Sequence, residues 1–217
     1  NGGFSTDDGG PIALGPSGEV YVFAAEYESF QTQLATLVRF DADGGGPGQT
    51  HSITVSGGVQ DYLPLDIAVD EDGSIAVVFV RLLAGSNEFY LARLQSDGTT
   101  EDWRHDQAVF ADASVVEGGD DFIITAAGFG ARGELVTTGS LTRSAEGASW
   151  NETWISRVAP DGALGCMYVQ EGPQQALVPG SVAVRAVDTA VDGGALIAAQ
   201  QVEDGSEALW VGSFRPE

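Results

Sequence analysis

The sequence has no lysine: all nine basic residues are arginine, against 32 Asp and Glu, for a formal charge of −23. A surface of that sign repels nucleic-acid phosphates and anionic lipid headgroups, which excludes both as partners and favours cations or basic partners. There is one cysteine, Cys166, so no disulfide can form within the chain. In the run Leu164-Gly165-Cys166-Met167-Tyr168-Val169 it reads as a small strand residue, with no base nearby in sequence to activate the thiol. His51 and His105 are the only histidines, and no His or Cys recurs at ligand spacing, which excludes zinc. No Gly-x-Ser-x-Gly elbow is present to carry a triad nucleophile, and no Gly-x-Gly-x-x-Gly sits between a strand and a helix. Apolar runs are short and broken by Asp, Gly or Thr, so none can form a bilayer-spanning helix. The chain opens on Asn1 rather than Met, which points to a processed or trimmed start.

What is present is a repeat. Apolar residues make up 43% of the chain, enough to fold despite the charge. Four segments of roughly 55–61 residues follow one pattern. An apolar strand runs into a turn that ends in Gly18, Gly73, Gly133 or Gly194. Then come Val20-Tyr21-Val22-Phe23, Ile75-Ala76-Val77-Val78-Phe79, Leu135-Val136 and Leu196-Ile197-Ala198-Ala199, apolar at every position and therefore buried on both faces. After a polar loop, third strands follow: Leu37-Val38-Arg39-Phe40, Leu91-Ala92-Arg93-Leu94, Ile155-Ser156-Arg157-Val158 and Val211-Gly212-Ser213-Phe214. Three lead into Asp43-Gly44, Asp97-Gly98 and Asp161-Gly162, tight-turn pairs in which Gly accepts positive φ and Asp caps the backbone. Weaker fourth strands are read at Ser52–Val55, Gln107–Phe110 and Cys166–Val169. Helical periodicity is absent. The expected fold is all-β, a β-propeller of four antiparallel blades at approximately 7–62, 63–118, 119–182 and 183–217. A β-sandwich is the alternative, but it requires no repeat. The last blade lacks its outer strand, which residues 1–6 could supply.

The pattern Asp-x-Ala-x-Asp, Gly-x-Ile-x-Val, Arg-Leu-x-x-Asp-Gly is clearest at Asp66–Val77 with Arg93–Gly98, and again at Asp188–Ile197. It resembles the β-propeller repeats of bacterial secreted and cell-surface proteins. The resemblance covers nearly the whole chain and implies an extracellular or surface module. Four blades are few for such proteins, so it also implies a fragment or one unit of a longer array; a blade edge left open would instead invite pairing with another chain, as in a homo-oligomer.

Several residues could carry chemistry. Arg39, Arg93 and Arg157 occupy one position of otherwise apolar strands, where a guanidinium needs an acidic or carbonyl partner. Asp66 and Asp188 are the expected partners in a structural network, with an anion site as the functional alternative. Asp41, Asp43, Asp70 and Asp72 lie in acidic turns that could hold calcium, the only cofactor the sequence leaves open, or could simply shape the turns. Tyr90, Trp154 and Trp210 share one strand position, above the small Ala92, Ser156 and Gly212, and read as packing. Phe30, Tyr62 and Trp150 are expected in loops on one face, Trp150 within a long polar loop at Thr142–Asn151, as anchors for a protein or a sugar ring. The expected function is a non-enzymatic interaction or structural module, binding through that loop face or assembling through blade edges. The alternatives are a carbohydrate-binding propeller and a propeller hydrolase using a carboxylate pair.

Overall fold

The computed structural model describes residues 10–29, 32–44, 47–53, 61–84, 86–113, 122–130, 132–145, 148–170, 181–189, 195–203 and 206–214. Its recurrent element is a four-residue turn closed by glycine. Gly18, Gly73 and Gly133 donate their amides to the carbonyls of Gly15, Asp70 and Gly130. Gly44, Gly98 and Gly162 do the same to Asp41, Gln95 and Ala159. All six have φ between 68° and 92°, a region that a Cβ disfavours, which is why glycine marks each turn.

The chain falls into two compact units, residues 1–104 and 105–217. In the first, β1 (Ile12–Leu14), β2 (Val20–Ser29), β3 (Thr32–Phe40) and β4 (Pro47–Ile53) form an antiparallel meander. β5 (Asp61–Val69), β6 (Ile75–Leu83), β7 (Ser86–Leu94) and β8 (Glu101–Asp106) form a second, the end of β8 crossing the unit boundary. One parallel pair, Gln33 with Asp61, joins them into an eight-stranded sheet. In the second unit α1 (Gln107–Ala113) precedes β9 (Phe122–Phe129), β10 (Leu135–Ala145), β11 (Ala148–Val158) and β12 (Leu164–Gln170), a four-stranded antiparallel sheet. β13 (Ser181–Thr189), β14 (Ala195–Glu203) and β15 (Ser206–Phe214) form a three-stranded one. The architecture is all-β in three sheets, and none closes on itself.

β6 is buried on both faces over Ile75–Val80, as its unbroken apolar sequence requires. One face meets Tyr21, Phe23, Ala35 and Leu37 of the first meander, with Phe79 edge-on to Phe23 at 6.4 Å and stacked on Tyr90 at 5.2 Å. In the second unit the core centres on Trp154. Its ring lies 5.4 Å from Phe110 and 6.0 Å from Phe122, and its indole N–H donates to the Ser140 carbonyl at 3.2 Å.

Three expectations are corrected. Gln107–Phe110 is the start of α1, not a strand: Asp106 caps it by accepting the Val109 amide, and the helix buries Phe110 completely. The strand is Glu101–Asp106 instead, whose charged residues give no apolar signal. The fourth strand of the first meander likewise starts earlier, at Pro47, which an edge strand tolerates. Thr142–Asn151 is not a loop. It continues β10 and β11 as a hairpin, in register out to Ala145 opposite Ala148, because backbone pairing extends a ladder without apolar side chains. Residues 1–6, the expected closing strand, lie outside the described residues, as does Gly194.

Candidate functional site

The repeated arginines are held by the residue that follows the turn glycine. Arg39 donates to Glu19 at 3.2 Å, and Arg157 pairs with Glu134. In the second meander Ser74 takes that place and accepts from Arg93 at 3.1 Å. Asp72 and Asp102 supply charge there at 4.0 and 3.8 Å. Asp66, the expected partner, accepts the amide of Ile67 at 2.9 Å. Asp188 lies on β13 opposite Leu196, with its side chain outside the described residues. The missed signal was readable. Gly-Glu accompanies Arg in the first and third repeats, Gly73-Ser74 accompanies Arg93 in the second, and Gly194-Ala195 accompanies Ser213 in the fourth, so a polar residue follows the glycine wherever the arginine is kept. These are intrasheet struts.

The acidic turns split in two. Asp41 and Asp43 are exposed. Around Arg93, burial pushes the Asp70 carboxyl up, with the charge of Asp72 adding to it against the Glu71 amide, while the Ser74 amide holds Asp72 down. Both carboxylates also cap their own turn, through the amides of Glu71 and Ser74. Among the described residues no group of three or more His, Cys, Asp or Glu is arranged to hold a metal. His105 Nε2 lies 2.7 Å from the Gly162 carbonyl, with its ring edge-on to Phe110. Cys166 and His51 lie on β12 and β4, with side chains outside the described residues.

Of the expected loop anchors, Phe30 lies outside the described residues. Trp150 sits on β11 opposite Arg143, its side chain likewise outside them. Tyr62 is not in a loop: it lies on β5, 2% exposed, with its ring 6.2 Å from Phe79. Its register leads to a cluster that sequence reasoning missed. Tyr62, Arg81 and Glu88 stand directly opposite one another across β5, β6 and β7, at the hairpin end of the sheet. Glu88 Oε2 accepts from Arg81 Nη1 and from the Tyr90 hydroxyl, each at 2.8 Å. Burial, and then the hydrogen bond to Glu88, push the Tyr90 phenol up, so at neutral pH it is a donor. Arg81 is 14% exposed and Glu88 37%, so the carboxylate is the member that meets solvent. The cluster serves no turn. It presents an oriented carboxylate, backed by a guanidinium, two phenols and the Phe79 ring, an arrangement able to take hydroxyl donors.

No family model matches the sequence, and no curated protein sequence is similar to it. Solved structures share its fold. The Hadza microbial sialidase Hz136 matches with a TM-score of 0.59 at 12% identity, over 93% of this chain and 43% of that one. The endo-arabinase of Bacteroides thetaiotaomicron VPI-5482 matches with a TM-score of 0.53 at 15% identity, over 95% of this chain and 74% of that one. This chain therefore spans less than half the length of the sialidase. Both neighbours are β-propeller glycoside hydrolases. That finding corrects the expectation of a non-enzymatic interaction or structural module, since the fold likeness favours the carbohydrate-directed alternative.

Proposed function

We propose that this chain is a carbohydrate-directed propeller module, its meanders serving as blades, with its glycan site at the Tyr62–Arg81–Glu88–Tyr90 cluster. One observation carries the reading: a charge-paired carboxylate, exposed at the hairpin end and engaged by no turn, lies among buried aromatic rings. Sugars are recognised through hydroxyls that donate to fixed acceptors, and Glu88 is such an acceptor, while the buried rings of Tyr62, Phe79 and Tyr90 pack behind it rather than meeting the ligand. The fold likeness to two glycoside hydrolases supports the same ligand class. Hydrolysis by a carboxylate pair is the less supported form of the proposal, because Asp70 and Asp72, the neighbouring acids whose pKa values move apart, are both engaged in capping a turn. A glycan array tests the reading. Binding to oligosaccharides is expected, and a blank array at high protein concentration would remove it.

A further inference from the structure

The charge distribution within the cluster says which sugars it takes. Arg81 and Glu88 neutralise each other, yet their exposure is unequal: the acid faces solvent and the base lies behind it. An incoming ligand therefore meets the carboxylate first. Arg132 is exposed in the turn between β9 and β10, and four other described arginines lie near acids. Arg39 lies within 4.0 Å of Glu19, Arg93 of Asp72 and Asp102, Arg104 of Glu101, and Arg157 of Glu134. An anionic sugar would have to pull Arg81 from Glu88, leaving a carboxylate beside its own, and would do so against the field of a chain of formal charge −23. A neutral sugar needs no exchange. Its hydroxyls donate to Glu88, which stays held by Arg81 and Tyr90.

We infer that the Arg81–Glu88–Tyr90 cluster selects neutral glycans and rejects those bearing sialic or uronic acid carboxylates. The inference rests on the glycan reading of the same cluster. The test is calorimetric titration with matched pairs, lactose against 3′-sialyllactose and galactotriose against trigalacturonic acid, at low and high salt. The neutral member should bind at least about tenfold more tightly than its acidic counterpart, with an affinity insensitive to salt. Glu88→Gln should weaken neutral binding by about tenfold or more. Because that change leaves Arg81 unpaired, the volume-matched double variant Arg81→Met/Glu88→Gln is measured beside it, with folding checked by circular dichroism. The double variant should lose the same affinity and also narrow the gap between neutral and acidic sugars. Equal or tighter binding of the acidic members would overturn the inference and leave the glycan reading standing. No binding by either class would overturn both.

Discussion

At the scale of single residues, the chain uses carboxylates in two ways that respond differently to change. Glu134 and Arg157 are each 25% exposed and bridge a turn to the third strand. Removing one partner strands the other, whereas removing both does not. Glu134→Ala alone should cost about 2 kcal/mol in chemical denaturation, and Glu134→Ala/Arg157→Ser clearly less than the sum of the single changes. Ala195 and Ser213 already occupy the matching positions of the fourth repeat. Strict additivity would mean that the pair is not a strut. Asp97 acts through hydrogen bonds: Thr100 donates through its hydroxyl and amide, and Thr99 through its amide, which together hold the carboxyl well below the usual range. A depressed folded pKa stabilises above the unfolded value near ~4 and is lost as pH falls through the folded value. The melting temperature should therefore drop below about pH 4. In Asp97→Asn the drop should be shallower, so that the two curves converge in acid. Parallel curves would remove Asp97 from the acid response.

At the scale of elements, what was legible follows from what each signal depends on. Turn glycines declare themselves because a positive φ excludes most other residues, and Gly18, Gly73 and Gly133 were readable for that reason. The doubly buried β6 was readable from its unbroken apolar run. Elements without a strong apolar pattern were not: the polar outer half of the β10–β11 hairpin looked like a loop, and α1, with a single fully buried ring at Phe110, looked like a strand. Register was out of reach as well. It makes Tyr62, Arg81 and Glu88 neighbours although 26 positions separate the first from the last, and no local motif encodes that. One glycine has a purely steric role. A Cβ on Gly139 would lie 1.7 Å from the Ile123 carbonyl oxygen and 2.8 Å from the Trp154 ring, beside a register shift between Thr138 and Gly139. Gly139→Ala should therefore cost about 3 kcal/mol. It should also change the near-UV signal to which Trp154 contributes. A variant of native stability would mean that the bulge adapts freely.

At the scale of the whole molecule, the repeat accounts for the architecture and its departures point to function. The struts at Arg39 and Arg157 recur because they hold sheets together. At the hairpin positions of β9, β10 and β11 that match Tyr62, Arg81 and Glu88 stand Phe122, Leu141 and Glu152, so the aromatic and the acid recur and Arg81 is the departure. An ion pair set at one end of one meander, with its acid toward solvent, is the chain's clearest candidate for recognition.

The most direct measurement is titration of the intact chain with the oligosaccharide that gives the strongest array signal, alongside the Arg81→Met/Glu88→Gln variant. The predicted result is saturable binding by the parent chain and a loss of about tenfold or more in a variant that remains folded. Equal affinity in the two would move the site elsewhere, and no binding in either would contradict a carbohydrate-directed role.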